Sequence, residues 1–383
     1  MSDRSTKRES GFSLLEMTVA MALGTLVLGA AVQLYSQGVA ATWTVTQRAE
    51  MQQDFRAASN ILTKDLSQAG AGMGDGAAIQ LPTSATIPVY GCDQTLACYL
   101  GAANTAATTY PLQGTTPYLY GLMPGYNAGP TISTLQTDVV TVAYTDNTFY
   151  LNCYQATVTN ATTVTFTLTP ASEANCGIST PQAVNNTATG LTAGDLVLFS
   201  FSPNVVAEVT GTPGAGTNGL GQPTYTVPFA PGVNDPLKMN QATATNSLAK
   251  TAVNTTGTAM RILVITYYLD ATITPPRLMR QISGHSPMPV AENIVYMKFS
   301  YDLFNSSTTP GTVATNQPNP GSGDANDVAS NGLLPNQITK INILHMAMDS
   351  TLHGTKGYQG MDLETSVSAR DLTYNNNYPL PSH

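Results

Sequence analysis

The chemistry open to this chain rests on few residues: four histidines, four cysteines and one carboxylate set inside an apolar run. His285, His345, His353 and His383 include no His-Glu-x-x-His pair, and His383 is the last residue. His345 and His353 could share a strand face, but eight residues of extended chain hold them about 26 Å apart, too far for one zinc ion. Gly284-His285-Ser286 lacks the closing glycine of a serine-nucleophile elbow. Gly214-Ala-Gly216-Thr-Asn-Gly219 has the glycine spacing of a dinucleotide-binding turn and follows a strand-like stretch. Leu220-Gly-Gln-Pro223 then forbids the helix whose N-terminus would hold a pyrophosphate. That segment reads as a surface loop, as does Gly72-Met-Gly74-Asp-Gly-Ala77, which follows a helix. Asp324 and Asp327 offer oxygen ligands of the kind calcium takes, but lack the sixth-position glycine and twelfth-position glutamate of an EF-hand loop. Turn formation accounts for them equally well, so they stand as weak calcium candidates. No catalytic residue, enzyme activity or cofactor is expected.

The carboxylate is Glu16. From Met17 to Gln47 no side chain is charged, and the apolar stretch Leu14 to Tyr35 exceeds the roughly 20 residues that cross a bilayer. A charge at the centre of such a helix costs about 2.5–3.5 kcal/mol, less near its end, which makes Glu16 a functional candidate. Arg4, Lys7 and Arg8 precede the run and place the N-terminus inside the cell. A secretory signal peptide would have an apolar region of only about 7–15 residues before a small-residue cleavage site.

Gly11-Phe12-Ser13-Leu14-Leu15-Glu16, behind a basic leader and ahead of a long apolar run, resembles the signature of type IV prepilins and pseudopilins. The resemblance implies that a prepilin peptidase cuts between Gly11 and Phe12 and methylates the new Phe12 amine. It also implies that the Glu16 carboxylate meets the Phe12 ammonium of a neighbouring subunit. Two unit charges ~4 Å apart at an effective dielectric near 20 attract by about 4 kcal/mol, which offsets burial and sets register.

The elements that position these groups follow. No proline occurs from Gln33 to Gln68, and Met51, Phe55, Ala58, Leu62, Leu66 and Ala69 recur at helical steps. One helix is therefore expected from about Phe12 to Ala69, roughly 85 Å long at ~1.5 Å per residue. Its first half is apolar all round and its second half amphipathic; Trp43, just past the span, reads as an interfacial anchor. Gly70-Ala-Gly-Met-Gly-Asp-Gly76 stops it. Beyond it the chain reads as β. Strands are expected at 138–145, 149–154, 162–169, 195–201, 205–210, 225–229, 260–270, 277–282, 293–303, 338–348 and 362–374. Residues 305–336, rich in Ser, Thr, Pro and Gly, read as a flexible loop. Strands separated by turns indicate an antiparallel sheet.

Cys92, Cys98, Cys153 and Cys176 all follow the span, on the side that would be oxidising, and allow three pairings. Cys92–Cys98 and Cys153–Cys176 are favoured, since each closes a local loop between turn-rich segments. Charged residues are only 10% of the chain and the net charge is −8, so the basic patch of a nucleic-acid binder is not visible.

Asp65-Leu-Ser-Gln-Ala-Gly70, Leu278-Met-Arg280, Val290-Ala-Glu-Asn-Ile-Val295 and Phe299-Ser-Tyr301-Asp302 further resemble PilW-type minor pilins. The expected fold class is α+β, a long N-terminal helix on an enlarged antiparallel head. The expected division is a leader at 1–11, a transmembrane and filament-core helix at 12–35, its amphipathic continuation at 36–70 and an exported head at 71–383. The resemblance implies a minor pilin in filament initiation or at the tip; residues 84–250 carry no such resemblance and are where an adhesive function would reside. A type II secretion pseudopilin of the J kind is the alternative within the class, and a membrane-anchored secreted hydrolase the alternative outside it. Implied partners are prepilin peptidase, other major and minor pilins and the inner-membrane assembly platform. The implied location is the inner membrane with a periplasmic head, then the pilus and cell surface.

Overall fold

The computed structural model describes residues 12–74, 77–84, 86–95, 97–98, 110–178, 180–232, 235–305, 311–318, 334–349, 360–369 and 372. Good helix formers without proline produce a helix, α1, over Leu14–Ser67 (54 residues). It runs unbroken through Gly24, Gly29 and Gly38, where a Cβ would meet nothing within 4 Å. Residues 12–50 bury no side chain, whereas Met51, Phe55, Ala58, Leu62 and Leu66, one helical stripe, are buried in the head.

The exit from α1 is fixed by glycine. Gly70 has φ of 81°, the left-handed region where side chains are strained. A Cβ on Gly121, opposite, would lie 2.5 Å from the Gly70 Cα. This close approach lets Gly70 N–H donate to the Ala143 carbonyl (2.9 Å) and Thr145 N–H to the Ala71 carbonyl (2.8 Å), so the helix end docks directly on a strand.

That strand, Val139–Thr145, belongs to an eleven-stranded sheet whose hub is Thr256–Asp270. The hub pairs antiparallel with Val139–Thr145, Gln155–Asn160, Leu196–Ser200 and Arg277–Ile282. A four-stranded sheet, Thr312–Gln317, Ile294–Asn305, Ile338–Asp349 and Gly360–Ser368 in spatial order, is antiparallel throughout. A three-stranded and a two-stranded sheet complete the described head. The fold is thus a long apolar N-terminal helix followed by a largely antiparallel, β-rich head.

Two cores fill it. The larger packs the α1 stripe, Val140, Val142, Ile262, Ile265, Met297, Phe299, Met346 and Met348 together. The smaller collects Phe149, Tyr154, Phe166, Phe199 and Phe229. Leu196–Ser200 is buried on both faces: Leu196 and Leu198 point into the first core, Val197 and Phe199 into the second. Its unbroken apolar run reflects that two-sided burial.

Several local expectations are corrected. Residues 149–154 form a single 3₁₀ turn at Leu151–Cys153, because the Cys153–Cys176 bridge packs them against a short helix, α2 (Pro170–Cys176), that starts on a Thr169–Ser172 capping box. Gly214–Thr217 is an edge strand paired with Pro223–Pro228, rather than a loop. Within the expected 305–336 loop, Thr312–Gln317 forms a strand on Ile294–Asn305, since Val313, Ala314 and flanking threonines suit a pleated edge. The other residues of that stretch from 306 to 310 and 319 to 333 lie outside the described residues. The last strand ends at Ser368.

Candidate functional site

The N-terminal end of α1 carries the charged group in the apolar run. Ser13 is the helix N-cap, in extended conformation. Its Oγ accepts from Glu16 N–H (3.2 Å), and the Glu16 carboxylate accepts from Ser13 N–H (3.0 Å). This reciprocal capping box satisfies two orphan amides and sets a negative charge on the positive end of the helix dipole. The sequence reading missed Ser13, although Ser-x-x-Glu ahead of an apolar run signals it. Phe12 is fully displayed beside them (90% exposed). Gly11 lies outside the described residues. Over Leu14–Tyr35 the apolar side chains point outward with nothing covering them, and the helix is long and apolar enough to cross a membrane.

At the other end, a buried polar cluster fixes α1 in the head. Asp65, on the buried stripe, is 4% exposed. Its Oδ1 accepts from the Tyr144 hydroxyl (3.1 Å) and its Oδ2 from the Tyr267 hydroxyl (2.6 Å) and Arg280 Nε (2.8 Å). Burial raises the Tyr144 and Tyr267 hydroxyls well above their ordinary range, and the adjacent Asp65 charge adds to it. Burial alone would lower the Arg280 guanidinium, but its hydrogen bond to Asp65 and that charge raise it. Tyr144, Tyr267 and Arg280 therefore remain donors at physiological pH. Segments 65–70 and 278–280, more than 200 residues apart, meet here.

A second cluster joins the sheets. Lys298 Nζ donates to Asp138 Oδ1 (2.6 Å) while Asp138 Oδ2 accepts from Phe299 N–H (3.0 Å). Burial raises the Asp138 carboxyl, and the Lys298 hydrogen bond opposes the shift.

The disulfides Cys92–Cys98 and Cys153–Cys176 span Cα separations of 4.0 and 5.0 Å. Beside the first loop, Gln94 Nε2 donates to Glu208 Oε1 (2.7 Å), and Leu237 N–H donates to Glu208 Oε2 (3.1 Å). Burial, with Asp235 close by, pushes the Glu208 carboxyl up to about 9.

His285 Nε2 lies 2.9 Å from Asp195 Oδ1, a pairing that strand-by-strand reading could not foresee across 90 residues. The neighbouring Ser286 hydroxyl is turned to Asp93 (3.3 Å), not toward a reacting centre built with His285. Arg261, stacked over the Phe149 ring at 4.8 Å, closes this region with Asp146 and Asp195. Among the described residues, His345, Asp362 and Glu364 are the metal-ligating side chains that converge. His353, His383, Asp324 and Asp327 lie outside the described residues.

Residues 6–32 match the family model of the prokaryotic N-terminal methylation motif. No curated protein and no solved structure matches the chain. The motif, the apolar helix and the β-rich head together support a type IV pilin-like or pseudopilin-like protein, anchored in a membrane by α1. The motif implies processing by a prepilin peptidase and assembly with other pilins, and it points to a structural subunit rather than an enzyme.

Proposed function

We propose that this protein is a minor pilin of a type IV pilus, of the PilW type, that acts in filament initiation or at the tip. The observation that carries this reading is the division of α1: an uncovered apolar half bearing Phe12 and Glu16, and a second half held in the head by buried contacts. Such a helix delivers a large folded head wherever its apolar half is packed. Prepilin peptidase cuts after Gly11 and methylates the Phe12 amine. The subunit waits in the inner membrane with its head in the periplasm. The assembly platform then inserts it among major and minor pilins, with Glu16 opposite the Phe12 ammonium of a neighbour, and the head reaches the cell surface. A head of more than 300 residues (71–383) suits a single terminal position better than a repeating shaft, and residues 84–250 would carry any adhesive contact.

Deletion of the gene in its host, with filaments counted by electron microscopy and exported enzymes assayed, tests this. Loss of filaments with normal protein secretion, restored by the intact gene, is the expected result. Normal filaments with lost secretion would assign the chain to the J-kind pseudopilins instead. A mature protein beginning anywhere but N-methylated Phe12 would overturn both.

A further inference from the structure

We propose that His345, Asp362 and Glu364 form a zinc site on the outward face of the four-stranded sheet, one that ties the edge strand Gly360–Ser368 to its neighbour Ile338–Asp349. The three side chains offer one nitrogen and two carboxylate ligands, all within 4.8 Å of one another. His345 Nδ1 stands 2.8 Å from Asp362 Oδ2 and 3.7 Å from Glu364 Oε1.

The backbone sets this convergence. Ile338–Asp349 slips register against both flanking strands at the same place, between Ile343 and Met346 on one side and opposite Lys298/Phe299 on the other. The extra residue leaves Leu344 and His345 both exposed between buried Ile343 and Met346. Bulges of this kind re-aim a side chain, and here His345 is turned toward the edge strand. On that strand Met361, Leu363, Thr365 and Val367 face inward, which sends Asp362 and Glu364 outward to the same side as His345.

The donor set selects the ion. Imidazole is a poor ligand for calcium or magnesium, which take oxygen, and suits zinc and its neighbours. Two carboxylates balance the charge of a divalent ion, and three protein ligands leave a position for water. The cation nearest in register, Lys298, pairs with His345 across the strands, but its amine is held by Asp138 and Asn127. Lys340, farther along the same strand, is paired with Asp302. Without metal, the His345–Asp362 hydrogen bond occupies the site.

The test is calorimetric titration of zinc chloride into the full-length protein, held in detergent and stripped with chelator, together with thermal unfolding. One equivalent should bind, and the melting temperature should rise with zinc concentration because only the folded chain presents the site. His345→Ala, and separately the pair Asp362→Asn with Glu364→Gln, should weaken binding by about tenfold or more. His285→Ala should leave it unchanged. Binding should also weaken in mild acid, since the imidazole must be neutral to ligate. All variants should keep the parent's metal-free circular dichroism. Absence of stoichiometric binding, or parent-like affinity in His345→Ala, would overturn the proposal.

Discussion

Asp65 and Arg280, 215 residues apart, meet at 2.8 Å and join the membrane-directed helix to the sheet. Neither side chain is more than one-fifth exposed, and Tyr267 donates to the same Asp65 oxygen from the hub strand. Removing one partner strands the other. Asp65→Asn should destabilise the head by about 3–5 kcal/mol, because the Arg280 cation stays buried without its counterion. Chemical denaturation of Asp65→Asn, Arg280→Met and the double variant checks this. The double variant should lose clearly less than the two singles together; additive losses would mean that the pair does not act as a unit.

The buried Glu208 carboxyl predicts a pH dependence. Its folded value, about 9, stands above the ordinary 4.5, so the folded state holds the proton more tightly. The sign follows: this contribution is fully present below pH 4.5, declines as pH rises and is gone above about 9. Glu208→Gln, which keeps the hydrogen-bonding shape without titrating, should flatten the stability profile across that window and gain on the parent toward its alkaline end. A parallel pair of profiles in pH-resolved denaturation would refute it.

Glu16 caps its own helix, and the assembly proposed above gives it a second, separable role opposite the Phe12 ammonium of a neighbouring subunit. Ser13→Ala removes the cap partner and should cost about 1 kcal/mol of helix stability, with little effect on assembly. Glu16→Ala should preserve membrane insertion and cleavage but strand the neighbour's ammonium, at about 3–5 kcal/mol for a buried pair, and reduce the protein in sheared filaments by more than about 100-fold. Equal defects in the two variants would reduce Glu16 to a helix cap.

The disulfides differ in reach, closing separations of 6 and 23 residues. Loop-closure entropy assigns about 2 kcal/mol to the short loop and about 3.5 kcal/mol to the long one. Cys153→Ser with Cys176→Ser should therefore lower the melting temperature more than Cys92→Ser with Cys98→Ser. The larger bridge also holds α2 against the 151–153 turn.

Periodicity made α1 and its buried stripe readable, because Met51 to Leu66 recur at steps that only a helix places on one face. The long central strands of the head were readable for a different reason, as runs of β-branched and aromatic residues bounded by turn residues. What escaped is non-local. Residues 149–154 look like a strand by composition, yet become a turn through a bridge to Cys176. Gly214–Thr217 has no side chains that announce a strand; its pairing comes from the partner at 223–228. Nothing local to Asp65 announces its role, which requires Tyr144, Tyr267 and Arg280 from three strands. Ser13 was locally legible, since its signal lies wholly within four residues.

The hub strand Thr256–Asp270 has a mechanical consequence. At about 3.3 Å per residue it is a rod of roughly 50 Å. Tyr267, near one end, grips the helix through Asp65, while Ala259, near the other, is buried in the far core. Tension drawn along the helix therefore enters the head twice, through Asp65 to Tyr267 of the hub and through the Gly70 and Ala71 backbone bonds to Val139–Thr145, which is itself laddered to the hub. The load is shared between a side-chain cluster and a backbone ladder, so neither has to hold the head alone.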